Sequence, residues 1–254
     1  MTFGRDSHAW FLRPIVWFAA ASMLTTILHE FAHALTAYVL GVPSTLYNYA
    51  ADVDLTSASA HQHAVIGAVG PAFCLAWGAL GWFALRRAPG SAELPLLYVS
   101  VFGIGTFFGN LMSAAFVGDF STAAVALGLP IGARYAISIV GLVSAAALHF
   151  WGGCRLLRWV PINVDRATGM IGIIAVPVVL GTAIVIVVNQ PLVSASTRAA
   201  EALFWVFAAI AAMVTRRRSP DAREVLRLRW IDAVVMLLAV VIVRLMVRGI
   251  RFVP

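Results

Sequence analysis

Pro14–Leu40 is an apolar run long enough to cross a bilayer, and its only carboxylate, imidazole or basic side chains are His29, Glu30 and His33. Within lipid every backbone N–H and C=O must be satisfied inside the segment, so such a run folds as an α-helix. Ionisable groups at that depth are costly and mark function. On a helix, positions i and i+4 share a face, so His29 and His33 aim two imidazoles at one point. Together with Glu30 they form the HExxH pattern His29-Glu30-Phe31-Ala32-His33, whose spacing suits a single metal ion. Glu30 projects about 100° away, where a carboxylate can act as general base on a metal-bound water.

The rest of the chain repeats the apolar theme. Of the 254 residues, 61% are hydrophobic and only 11% charged. That balance excludes an ordinary soluble domain. Runs near the required length lie at Pro14–Leu40, Ala64–Leu85, Leu94–Leu127, Ile131–Trp151, Met170–Val188, Ala199–Val214 and Trp230–Val247. The sixth is short and the seventh is interrupted by Arg244. The sequence therefore predicts an all-α polytopic membrane protein with six or seven transmembrane helices. The third run is too long for one straight helix and holds Gly103, Gly105, Gly109 and Gly118, so a break is expected inside it. Pro177 is expected to kink the fifth. No repeat is visible, and the polar connections Val42–Gln62 and Arg216–Arg229 are too short to fold alone. The expected division is residues 1–130 as a catalytic membrane core and 131–254 as additional transmembrane helices with a basic C-terminal region. Cys74 and Cys154 sit in or beside apolar runs without a CxxC pair, which argues against disulfides and a thiolate metal site. The first run is too long for a cleavable leader and carries the motif itself.

All 18 basic residues are arginine, for a formal charge of +7. In a membrane protein such an excess reports loops facing anionic lipid, so the bilayer rather than nucleic acid is the expected partner. With the N-terminus inside, the inside segments hold Arg5, Arg13, Arg86, Arg87, Arg155, Arg158, Arg166, Arg216, Arg217, Arg218, Arg223, Arg227 and Arg229. The outside loops hold Arg134 and Arg198. Thirteen against two puts the N-terminus in the cytosol. The C-terminal half of the first span, with its histidines, then lies nearer the extracytoplasmic face. Arg244, Arg248 and Arg251 read as one basic stripe, suiting a snorkelling helix end or an in-plane helix.

Two histidines need a further protein ligand to make a catalytic zinc site. Asp119, in Gly118-Asp119-Phe120, is the leading candidate among the 11 acidic residues. It shares the membrane side of His33 by parity of the spans, and its depth below that boundary matches, about 10–12 Å for both. Glu201, at the start of the sixth run, is the runner-up, whereas Glu93 falls on the opposite side. His61 and His63, at the start of the second run, suit interfacial residues, with a gating or metal role as the alternative. Val42–Leu55, which holds Asp52 and Asp54, alternates enough for a short hairpin that pairs with an extended peptide, an ordinary loop being the alternative. His149, on the side away from the motif, reads as structural.

Three places in order resemble the site-two protease family of intramembrane zinc metalloproteases. The first is His29-Glu30-Phe31-Ala32-His33. The second is Gly67-Ala68-Val69-Gly70-Pro71-Ala72, similar to the family's AGPxxN element. The third is Gly109-Asn110-Leu111-Met112 followed by Gly118-Asp119, similar to its NxxPxxxLDG element. The resemblance covers about residues 14–127. It implies a three-helix catalytic core with Zn2+ held by His29, His33 and Asp119, water activated by Glu30, and Asn110 holding the extended substrate backbone. Ser113 stands where the family has proline, Phe120 where it has glycine, and Phe73-Cys74 where it has asparagine. The Asn110–Asp119 gap is one residue longer than usual, so the chain resembles a divergent branch.

The expected activity is a zinc metalloendopeptidase that cleaves a transmembrane segment of another membrane protein, such as an anti-sigma factor, in a bacterial plasma membrane. The alternatives are a membrane zinc peptidase resembling the CAAX prenyl proteases, with Glu201 as third ligand, and a degenerate core kept as a scaffold. Members of the resembling family more usually hold the site nearer the cytosolic face, against the arginine count.

Overall fold

The computed structural model describes residues 11–88, 90–160, 164–190, 205–214 and 226–254, and within them the chain is mostly helical. In chain order the helices are α1 (Leu12–Val39), α2 (Ala60–Leu85), α3 (Glu93–Met112), α4 (Asp119–Ala126), α5 (Ile131–Leu157), α6 (Arg166–Met170), α7 (Val176–Asn189), α8 (Trp205–Val214) and α9 (Trp230–Met246). Among the described residues, five helical stretches are long and apolar enough to cross a membrane: Leu12–Val39, Ala60–Leu85, Gly90–Met112, Ile131–Leu157 and Ala167–Asn189. The last is one continuous rod in which a π-turn, Ile171–Ala175, joins α6 to α7. Pro177 explains the widening, because it has no N–H to donate back to Ile173 and its ring crowds that turn.

α1 is the axis of the bundle. Over its most apolar stretch 61% of residues are buried, against 22% for α5, so α1 is shielded by protein while α5 faces outward. α2, α3, α7 and α9 pack around α1. At Gly78 and Gly103 the backbones of α2 and α3 meet so closely that neither tolerates a methyl group, the small-residue contact typical of helices in lipid. Further along, Phe18, Tyr98, Phe102 and Trp205 form an aromatic cluster, with Phe18 edge-on to Phe102 at 5.0 Å.

The two ends of the bundle differ. At the end where α1 starts, Asp232 of α9 is fully buried and takes Arg13 Nε–H at 2.9 Å, Trp17 Nε1–H at 2.7 Å and its own helix-start Arg229 N–H at 2.7 Å. Arg86 over Trp82 and Arg155 over Trp151 form an arginine–aromatic girdle at the same end, as expected at a membrane boundary.

At the other end α1 stops at a Schellman turn, with Gly41 at φ 75° and Val42 N–H returning to Ala37 O at 2.8 Å. The chain then forms the antiparallel hairpin β1 (Ser44–Leu46) and β2 (Ala51–Val53). A third strand, β3 (Ile250–Phe252), adds to the far side of β1, giving the order β2-β1-β3. Arg244 donates to Gln190 O at 2.9 Å, while Arg251 lies in β3. The expected single helical stripe through Arg244, Arg248 and Arg251 is therefore corrected: Gly249, at φ 77°, ends the helix and turns the chain into the sheet.

The long third apolar run is broken, as its glycines predict. α3 ends at Met112, and a turn over 113–118 leads into α4. α5 holds that turn in place. Ala115 N–H donates to Ser138 Oγ at 3.0 Å, while Arg134 donates to Ala114 O at 3.0 Å and Ser121 Oγ at 2.9 Å.

Candidate metal centre

Each of the three motif segments delivers one part of the site. His29 and His33 lie one turn apart on α1 with their rings edge-to-face, and their Nε2 atoms are 3.1 Å apart. Asp119 is the first residue of α4. It does not cap that helix; instead its Oδ2 lies 2.8 Å from His29 Nε2 and 3.5 Å from His33 Nε2. The three ligand atoms lie within 4.8 Å of one another, and this is the group among the described residues that has a metal-binding arrangement. A tetrahedral zinc site with bonds of 2.0–2.1 Å has ligand-to-ligand edges of about 3.3–3.4 Å; the separations of 2.8, 3.1 and 3.5 Å bracket that edge, and the hydrogen-bonded His29–Asp119 pair would open by about 0.5 Å to admit one ion.

The far side of each ring is occupied. His33 Nδ1–H donates to Ile66 O at 2.6 Å, which leaves the Nε2 lone pair pointing into the cluster. His29 Nδ1 meets Cys74 Sγ at 3.5 Å, and the thiol sits 3.8 Å from Thr25 O, which accepts from it. The sulfur thus takes the outer position behind His29 that the Ile66 carbonyl takes behind His33. Both rings are buried, and Asp119 is about one-third exposed, so the cluster opens on the carboxylate side.

Glycine makes the approach possible. A Cβ at Gly70 would overlap the His33 ring, lying 2.7 Å from Cε1 and 2.8 Å from Cδ2. One turn earlier, a Cβ at Gly67 would meet Asp119 O at 2.8 Å. The two glycines of Gly67-Ala68-Val69-Gly70-Pro71 therefore seat the aspartate segment and the second histidine. Gly118, at φ 107°, sets the turn that starts α4 and presents Asp119.

Glu30 Oε2 accepts from the backbone N–H of Ala51 in β2 at 2.8 Å. Asn110, at the end of α3, donates Nδ2–H to Thr106 O at 3.0 Å, with its Oδ1 turned toward Gly118. It lies beside the turn that presents Asp119. His63 Nε2 is bonded to Leu55 O at 3.1 Å and His61 is exposed; neither belongs to the cluster. His149 is buried beneath Trp205, its Nδ1 bonded to Ala145 O at 2.8 Å. Glu201 lies outside the described residues. Outside the bilayer region, the Thr56 hydroxyl and amide hold the Asp54 carboxyl below the usual aspartate range.

Sequence reasoning overlooked the Ser138–Arg134 clamp, the glycine seats and the third strand. Each depends on a partner distant in the chain, and only the Gly-rich segment left a local mark. No protein-family model, curated protein or solved structure matches this chain.

Proposed function

We propose that this protein is an intramembrane zinc metalloendopeptidase that cleaves a peptide bond in or near a transmembrane segment of another membrane protein. The observation that carries the reading is the convergence of His29 Nε2, His33 Nε2 and Asp119 Oδ2 from two separate helices inside an apolar bundle. Buried imidazoles and a carboxylate at bilayer depth are costly, and a shared cation offsets that cost. His29, His33 and Asp119 would hold the zinc, which would supply Lewis acidity and lower the pKa of water to about 7.

The chain's own residues do the rest. Glu30, next to the first histidine, takes the proton of the attacking water and returns it to the leaving amine. Ile66 O and Cys74 Sγ hold the ring orientations. A helical substrate hides its carbonyls in i→i+4 bonds and must unwind before attack. The hairpin supports this step, because its outer strand offers backbone groups to an extended peptide next to Glu30. The cluster sits six residues before the end of α1, about 9 Å below the hairpin end of the bundle.

Of the six or seven crossings expected, the proposal takes seven. α7 ends on the hairpin side, where Asn48 Nδ2–H donates to Asn189 Oδ1 at 2.8 Å, while α9 starts at the opposite end beside Arg13. In this reading α8 belongs to the pass between them. α1, α2 and α3 with α4 form the catalytic core in this reading.

The test is metal analysis of purified protein together with cleavage of a membrane-protein substrate. Wild type is expected to hold about one zinc per chain, His33→Ala to lose it, and Glu30→Gln to keep it while losing cleavage. A zinc-free wild type, or an active Glu30→Gln, overturns the reading.

A further inference from the structure

The amide that Glu30 holds is an unusual one. Tyr47 N–H donates to Ala50 O at 2.8 Å and Asp54 N–H to Pro43 O at 3.0 Å, while Leu46 faces Ala51 and Ser44 faces Val53. In an antiparallel pair bonded and non-bonded positions alternate, so Ala50, Asp52 and Asp54 bond to β1. Ala51 and Val53 therefore turn their N–H and C=O groups away from β1. Since β3 already covers the other side of β1, this outward row is the edge of the sheet that runs past α1. On that edge, the Glu30 carboxylate oxygen stands 2.8 Å from Ala51 N, where the carbonyl of an added strand would stand.

The geometry points to a latch released by substrate: Ala51 N–H restrains the Glu30 carboxylate, and an extended peptide pairing with Ala51 and Val53 takes that N–H and frees the carboxylate for its water. The inference rests on the protease reading. One N–H carries one proton, so Glu30 and a peptide carbonyl compete for it. A strand added antiparallel to β2 needs both the N–H and the C=O of Ala51, and it offsets the loss of the carboxylate bond by also engaging Val53. Only a backbone with free N–H and C=O groups can do this. A helical segment uses those groups internally, so the latch opens for unwound peptide and stays shut for intact helix. The latch is thus a specificity device: the base becomes available when an extended peptide lies along the strand leading to it. No side chain of the substrate needs to be recognised at this step.

The test compares two variants of the full chain in detergent that both lack the catalytic carboxylate. Glu30→Gln keeps an acceptor for Ala51 N–H, and Glu30→Ala removes it. The probe is a fluorescently labelled Val-Thr-Val-Thr-Val-Thr peptide, followed by anisotropy. Glu30→Ala is expected to bind it about fivefold more tightly than Glu30→Gln, the difference expected for one neutral hydrogen bond. Replacing Ala51 by lactic acid, an ester in place of the amide, removes the contested N–H without changing the side chain. In that background binding is weaker and the Glu30→Ala advantage disappears, a coupling that a purely structural role would not produce. Equal or weaker binding to Glu30→Ala, no binding to either variant, or an advantage that survives the ester overturns the latch. Zinc content of the same samples is read separately. Zinc-free protein that still shows the coupled binding difference supports the latch and overturns the protease reading.

Discussion

Gly70→Ala isolates the candidate metal centre from the fold. The added methyl carbon would stand 2.7 Å and 2.8 Å from two carbons of the His33 ring, against an unstrained carbon–carbon contact of about 3.5–4.0 Å. The ring would have to recede by about 1 Å, whereas functional geometry tolerates about 0.5 Å. It has no easy retreat, because Nδ1 is bonded to Ile66 O at 2.6 Å and the residue is buried at 6% exposure. The helix itself gains: alanine is favoured over glycine in a helix interior by about 1 kcal/mol, against an overpacking cost of about 1–3 kcal/mol. Net destabilisation is therefore about 0–2 kcal/mol, and the protein still folds. Zinc affinity is expected to fall about 100-fold or more, the upper range for loss of an outer-shell partner, since here a ligand itself is displaced. Chelator competition measures the affinity, and circular dichroism checks the helix content. Gly109→Ala is the control, since its added Cβ meets nothing within 4 Å. A Gly70→Ala protein with wild-type zinc affinity would refute the seating role.

Asp232→Ala removes the buried ion pair with Arg13 and is expected to destabilise the protein by about 3–5 kcal/mol, read as a fall in thermal midpoint in detergent. Arg13→Met combined with Asp232→Leu should recover most of that loss. Gly118→Ala forces a side chain into φ 107°, at a cost of about 1–3 kcal/mol, and is expected to reduce zinc affinity as Asp119 shifts. Thr56→Ala removes a donor to the Asp54 carboxylate, so that carboxyl should titrate at higher pH, followed by NMR. Because Asp54 is held low, its stabilising contribution is present at neutral pH and lost as pH falls through its folded value; the variant should show a weaker acid-side loss.

What was legible in the sequence follows physical range. Helical period and bilayer length placed α1 to within two residues at each end, α2 to within four and α5 to within six, because both act locally along the chain. His29 and His33 lie one turn apart, and span parity put Asp119 on their side of the membrane while helical rise put it at a matching depth. The Gly-rich segment was visible as a pattern, yet the overlap that gives Gly70 its role exists only when α2 lies against His33. Arg13 looked like a flanking loop charge, and its partner lies 219 residues away. Likewise β3 follows a glycine that breaks the helical stripe, but its pairing with Ser44–Leu46 leaves no periodic signal. Arg134 looked like a lone outer charge, whereas it clamps the turn before Asp119.

Sidedness turns on the same arginines. With β3 paired to β1 and Arg244 bonded to the end of α7, Arg248 and Arg251 also belong to the hairpin end, so the arginines assigned to that side by the sequence, Arg134 and Arg198, become five. Thirteen remain assigned to the end where α1 starts. Two of the hairpin-side arginines are held by backbone carbonyls, Arg134 by Ala114 O and Arg244 by Gln190 O, so they serve packing as well as topology. The imbalance is reduced without being reversed, and the basic excess acts directly on insertion. The hairpin, the metal centre and β3 are therefore expected on the extracytoplasmic side, opposite to the usual arrangement in the family the motifs resemble. Thr56 is exposed in the loop after β2 and suits a reporter cysteine. Cys74 is buried, and the half-buried Cys154 lies near the far end of α5, so Cys154→Ser provides a clean background. Thr56→Cys in that background should react with a membrane-impermeant maleimide in intact cells. Labelling that appears only after permeabilisation would refute the charge argument and put the site on the cytosolic side.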